Sequence, residues 1–188
     1  MRMPDLIRRA SMSVVLEKKL FTYDEVAALP EGQYEIIDGV RKDMTPTGGV
    51  HSMLEYEISR LLGGYYGDVY RILVGEVGIL IKKSPLRLRA ADIACISRGK
   101  MKSVPTGILE TAPELVVEIV SESNAHWELT DKVKDYFSIG VERVVIVDPI
   151  TATVNVYRRG AREILFYGFD EDAELAPGLM VRLSDFLK

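Results

Sequence analysis

Two carboxylates stand where their neighbours leave them little water. Glu118 interrupts Leu115, Val116, Val117, Ile119 and Val120 in PELVVEIVSES, and Asp92 interrupts Ala90, Ala91, Ile93, Ala94 and Cys95 in RAADIACIS. Side chains alternate along a strand. Glu118 therefore shares a face with Val116 and Val120, opposite Leu115, Val117 and Ile119. A strand apolar on both faces belongs in the middle of a sheet. An isolated carboxylate there is costly unless it is paired, neutralised or bound to a metal. The small residues Ala90 and Ala94 flank Asp92 and leave room for a hydrated ion. Two carboxylates on adjacent strands suit one Mg²⁺, a hard cation that takes oxygen ligands and keeps several waters. Such an ion activates water and steadies charge on a phosphoryl oxygen. The competing reading is a pair of buried acids satisfied by Lys or Arg.

A cation would complete the set. Leu129, Val133, Tyr136 and Phe137 mark one face of an amphipathic helix just after Glu118. At 100° per residue, Lys132 lies on the shoulder of that face beside Tyr136, with Glu128 one turn earlier on the same flank, and Lys134 points further away. Lys132 is thus the better placed to reach inward, to position an attacking water or stabilise developing negative charge. Glu128 and Lys134 are accessory candidates beside it, and two more residues join them. His51 opens another helix, where it reads as a cap, a surface residue or a group that orients phosphate or water. Glu35 lies in a strand beside a hairpin and is a candidate third acid. Trp127 reads as packing and Cys95 as a small core residue. Arg87 and Arg89 fit an exposed strand face, although either could meet phosphate.

The elements that must position these groups can be read along the chain. Thr22 and Glu25 form a capping box for a helix over 23–29, stopped by Pro30-Glu31-Gly32. Asp38-Gly39 signals a hairpin. Leu54, Ile58, Leu61, Leu62 and Tyr65 form one helical face. Strands are expected at 69–74, 77–82, 86–89, 91–97 and 114–120, then the Lys132 helix with Gly140 as its stop. Further strands follow at 143–148, 153–157 and 163–168. This order predicts an α/β (mixed α+β) fold, one mixed sheet with helices packed on it.

Composition bounds the function. The chain has 188 residues, 47% hydrophobic and 28% charged, with a net charge of −4. These values describe an ordinary globular protein, here one domain over 21–188 after a basic extension over 1–20. No apolar run approaches the roughly 20 residues that span a bilayer, so no membrane partner is expected. No signal-peptide core follows Arg2, Arg8 and Arg9, and a cytoplasmic location fits. The single cysteine excludes an internal disulfide framework and a multi-cysteine zinc site. A nuclease is compatible with the acidic balance, because local basic patches and metal ions offset phosphate repulsion. Arg98, Lys100 and Lys102 in the 97–111 loop, with the N-terminal arginines, are candidates for a DNA groove.

Taken in order, Glu35 with Asp38-Gly39, His51 at a helix start, Asp92, PELVVEIVSES, a lysine four residues before a tyrosine, and GVERVVIVDP resemble the Uma-type restriction endonucleases, a bacterial branch of the PD-(D/E)XK nuclease superfamily. The likeness covers about residues 20–188. It implies a restriction-endonuclease-like fold and Mg²⁺-dependent hydrolysis of DNA phosphodiester bonds, with Mn²⁺ as a possible substitute and no organic cofactor. Within it, Asp92 and Glu118 match the metal-binding acids, with the backbone carbonyl of Ile119 as a further ligand. The superfamily's usual lysine, two residues after the second acid, is Val120 here, and Lys132 matches the place from which the Uma-type branch supplies it. Ala91 replaces the usual proline, Ser121-Glu122-Ser123 the usual Ser-Pro-Ser, and Glu128 the usual aspartate. The resemblance also implies a homodimer, and the exposed edge formed by the late strands offers an interface. The alternative is a DNA- or protein-binding module that keeps the fold without catalysis.

Overall fold

The structure is a computed structural model that describes residues 19–28, 32–121 and 126–188. Arg2, Arg8 and Arg9, the Pro30-Glu31 helix stop and Glu122-Ser123 lie outside the described residues, as does the 1–20 extension apart from its last two positions.

The chain opens with helix α1 (Tyr23–Ala27), capped as expected by the reciprocal bonds of Thr22 and Glu25. Strands β1 (Tyr34–Ile37) and β2 (Val40–Asp43) form the hairpin. Asp38 and Gly39 at its tip have φ of 51° and 83°, the left-handed pair of a two-residue turn. Helix α2 (Gly49–Tyr66) buries Leu54, Ile58 and Leu62. Tyr65, expected on that face, is exposed, and Tyr66 packs on the core in its place.

Strands β3 (Tyr70–Lys83) and β4 (Leu86–Ser97) form a long antiparallel hairpin. Four short strands were expected here. The ladder resumes after each irregularity, so the backbone forms two long strands. Strand β5 (Leu115–Ile119) leads through helix α3 (His126–Ser138) into the parallel strand β6 (Arg143–Asp148). Gly140 ends α3 at φ 100°, with Gly140 N–H donating to the Phe137 carbonyl and Val141 N–H to that of Tyr136, a Schellman stop. Strands β7 (Thr153–Arg158) and β8 (Leu165–Gly168) extend the sheet. The unanticipated pair β9 (Ala173–Ala176) and β10 (Leu179–Val181) forms a small second sheet.

The main sheet runs β2-β1-β4-β5-β6-β7-β8, with β3 on the other edge of β4. The expected mixed sheet flanked by helices is therefore present. Two cores sandwich it. On one side Leu54, Ile58 and Leu62 of α2 pack with Val117, Ile119, Val145 and Val147, closed by Leu175 and Val181 of the small sheet. On the other, Val133 and Tyr136 of α3 pack with Val116, Val120, Val144 and Ile146. Each fully buried aliphatic side chain contributes about 1.5–3 kcal/mol, which holds both helices tightly enough to position polar groups between them and the sheet.

Candidate active site

One edge of β4 changes partner partway along its length. β1 meets it at Leu88 and β5 at Ile93, Ala94 and Cys95. In the gap between them, side chains take the place of a strand. The Ala90 N–H donates to Glu35 Oε1 at 3.3 Å, the Ala90 carbonyl accepts from Lys132 Nζ at 3.1 Å, and Asp92 Oδ2 accepts the Ile119 N–H at 2.6 Å. The gap thus gathers an acid from each of three strands: Glu35 from β1, Asp92 from β4 and Glu118 from β5. All three are buried. They line one pocket of ≈ 140 Å³ together with His51, Glu76, Ile119, Glu128 and Lys132.

The cation arrives from α3 as its helical phase predicts. Lys132 Nζ lies 2.7 Å from Glu118 Oε2 and 3.0 Å from Glu35 Oε1. One turn later, the Tyr136 hydroxyl donates to Glu118 Oε1 at 2.5 Å. Asp131 and Asp135 on the same helix set its rotation. Arg89 reaches Asp135 Oδ2 at 2.6 Å, Asp131 Oδ2 at 2.7 Å and Glu35 Oε2 at 2.9 Å, and Arg87 Nε reaches Asp135 at 2.7 Å. The expectation that both arginines sit on an exposed strand face is corrected. Arg89 is 4% exposed, because α3 and β1 cover that stretch of β4.

Burial and charge set the protonation states. Burial pushes the Glu118 carboxyl up to about 7, outweighing the pull of Lys132. Burial opposes charge on Lys132 as well, but Glu118 and Glu35 overcome it and hold the ammonium above its ordinary value. Burial would raise Glu35, yet Lys132 and Arg89 keep it below the usual carboxylate range. Glu76 is pushed up to about 7 by burial and then by the charge of Asp92. His51 Nε2 lies 3.3 Å from Asp92 Oδ1. Burial lowers this imidazole, but its bond to Asp92 and the charges of Asp92, Glu55 and Glu76 together outweigh burial, for a net upward shift. Its Nδ1 is buried without a hydrogen-bond partner.

The sequence candidates thus separate. Asp92, Glu118, Lys132, Glu35 and His51 come together. Glu128 reaches the pocket rim, where it pairs with Lys42 at 2.5 Å. Lys134 is exposed and outside the lining. Arg98 donates to the Gly67 carbonyl and Lys100 pairs with Glu114 at 3.0 Å, so both are engaged with the protein itself, and Lys102 lies outside the lining with them. Trp127, expected to pack, is 70% exposed. Cys95 is buried in the core as expected, its thiol pushed up to about 12 by burial. Sequence reasoning missed Glu76. The available signal was Gly75 inside a strand pattern, which marks a bulge.

The donor set suits a hard divalent cation in its chemistry, since carboxylate oxygens dominate the pocket and the mutual repulsion of Asp92 and Glu76 is what a cation would relieve. In this conformation Asp92 is engaged by His51 and Ile119, and Glu118 by Lys132 and Tyr136. Among the described residues, no three His, Cys, Asp or Glu side chains already form a ligand cluster. No helix among them is long and apolar enough to cross a membrane.

The profile of the Uma2 family, described as "Putative restriction endonuclease", matches residues 22–184. No curated protein matches the chain. Among solved structures, the chain resembles a "putative nuclease belonging to DUF820" from Anabaena variabilis ATCC 29413, with a TM-score of 0.75 and 22% identity over 88% of this chain and 97% of that one. At that identity the likeness establishes the fold.

Proposed function

Because the chain belongs to the Uma2 family, we propose that it is a Mg²⁺-dependent endonuclease that hydrolyses DNA phosphodiester bonds, with Mn²⁺ as a substitute. The observation that carries this reading is the convergence of Asp92, Glu118 and Lys132, from two strands and a helix, on one pocket. Asp92, Glu118 and the backbone carbonyl of Ile119 would hold the cation. Bound there, it would supply Lewis acidity and a water of lowered pKa.

The protein's own groups have separable tasks. Lys132 keeps its proton under the pull of Glu118 and Glu35, so it serves as a fixed positive charge and hydrogen-bond donor and not as a base. Its ammonium would face the oxygen on which negative charge develops. His51 orients Asp92 through Nε2. Tyr136 restricts Glu118 to one orientation. The β8 edge, where Phe166 is exposed, is the surface through which we propose that two copies pair.

The second reading is a binding module without catalysis. It is favoured by Val120 in place of the usual lysine and by the engagement of both Glu118 oxygens. Incubation of supercoiled plasmid with the full chain and Mg²⁺ separates the two. The nuclease reading expects nicking that EDTA stops and that Asp92→Ala and Glu118→Ala both lose. Cleavage that survives both substitutions overturns the site, and no cleavage with either metal supports the binding module.

A further inference from the structure

The gap on one edge of β4 has a counterpart on the other. β3 pairs with β4 as Val74↔Ile93 and then as Val77↔Ala91. Gly75 and Glu76 therefore oppose the single residue Asp92, the two-against-one count of a β-bulge. Both are left-handed, with φ of 88° and 52°. Glycine adopts this conformation freely, but for a glutamate it is strained. The backbone alone would be better served by Gly, Asn or Asp.

The bulge turns the Glu76 side chain into the pocket of Asp92 and Glu118. There it is partly buried, and among the described residues its carboxylate makes no hydrogen bond and no ion pair. Among the described residues it is the acid of this pocket that has neither a hydrogen bond nor an ion pair. The neighbouring His51 is a second, independent observation. It is 6% exposed and lines the same pocket, and its buried Nδ1 has no hydrogen-bond partner, the Glu55 carboxylate standing off at 3.9 Å. Glu55 on α2 interacts with the Gly75 backbone and so ties the bulge to the helix that carries His51. Backbone strain at a bulge beside a pocket is retained where the re-aimed side chain has work to do.

We propose that Glu76 is a further oxygen ligand for the divalent cation, delivered by the β3 bulge to the face of Asp92 opposite the β5 edge. This rests on the metal-site reading above. The ion would then meet carboxylates from three consecutive strands of the sheet, β3, β4 and β5. More charged ligands mean tighter binding of a hard cation.

The test measures Mn²⁺ binding to the full chain by the loss of the free-ion paramagnetic resonance signal, without DNA. Two variants are compared with the wild type: Glu76→Gln, which keeps the shape, and Glu76→Gly, which relaxes the backbone. Both are expected to weaken Mn²⁺ by about tenfold or more, with Glu76→Gly melting at or above the wild-type temperature. Asp92→Asn should weaken binding at least as much. Wild-type affinity in Glu76→Gln and Glu76→Gly, with loss in Asp92→Asn, overturns the role of Glu76 and leaves the metal site standing. Failure of the wild type to bind Mn²⁺ in the millimolar range removes the metal site and this proposal with it.

Discussion

Lys132 Nζ stands 2.7 Å from Glu118 Oε2 and 3.0 Å from Glu35 Oε1, so one helix cation bridges acids from two strands that are not neighbours in the sheet. The lysine is buried. Removing it strands two buried carboxylates. Lys132→Met is expected to destabilise the fold by about 3–5 kcal/mol, read from urea unfolding midpoints. Adding Glu118→Gln should recover part of that loss, because the second change removes one of the unpaired charges. Equal stability of Lys132→Met and wild type would show that the pair is not formed in solution.

Tyr136 supplies the other partner of Glu118, at 2.5 Å. Tyr136→Phe keeps the packing against Val116 and Val144 but leaves a buried oxygen unsatisfied. The expected cost is about 1–3 kcal/mol, measured by denaturant unfolding. A neutral result would mean that water replaces the hydroxyl.

Arg89 and Arg87 both bind Asp135, but only Arg89 is buried and also holds Glu35. Arg89→Met should therefore cost about 3–5 kcal/mol and Arg87→Met clearly less. It should also loosen α3, seen as faster amide exchange over the described helix. Equal costs for the two substitutions would contradict the greater weight given to the buried arginine.

Stability should depend on pH in a definite direction. Glu118 and Glu76 titrate at about 7, above their ordinary 4.5, and His51 is shifted up. The native protein thus holds more protons than the unfolded chain between pH 4.5 and about 7. Stability from these groups is fully present below that interval and is lost as pH rises through it. Glu35 is shifted down, so its contribution is present above the unfolded carboxylate value and is lost only as pH falls through its depressed one. Urea midpoints in EDTA should fall from about pH 5 to about pH 8, less steeply in Glu76→Gln. A rise over that range would contradict the assignment.

The legible parts of the site are those that break a local pattern. Glu118 and Asp92 stood out as charges in apolar strands, and Lys132 followed from helical phase. Tyr136 looked like one more member of an apolar stripe, because periodicity reports which face a ring lies on and not where its hydroxyl ends. Arg89 looked exposed because alternation along β4 cannot reveal that α3 lies over it. Glu76 was hidden by register. Gly75-Glu76 reads as the break between two strands until the pairing of β3 with β4 shows the ladder resuming at Val77↔Ala91. Strands β9 and β10 have only four and three residues, too few to show a period.

We propose that a lysine from α3 serves the acids where Val120 stands in place of the usual one. Single-turnover cleavage of duplex DNA at saturating Mg²⁺ by wild type, Lys132→Gln and Asp92→Asn tests it most directly, with folding checked by thermal melting. Folded Lys132→Gln is expected to be slower by roughly a hundredfold or more and Asp92→Asn to be inactive. Wild-type cleavage by a folded Lys132→Gln would contradict it.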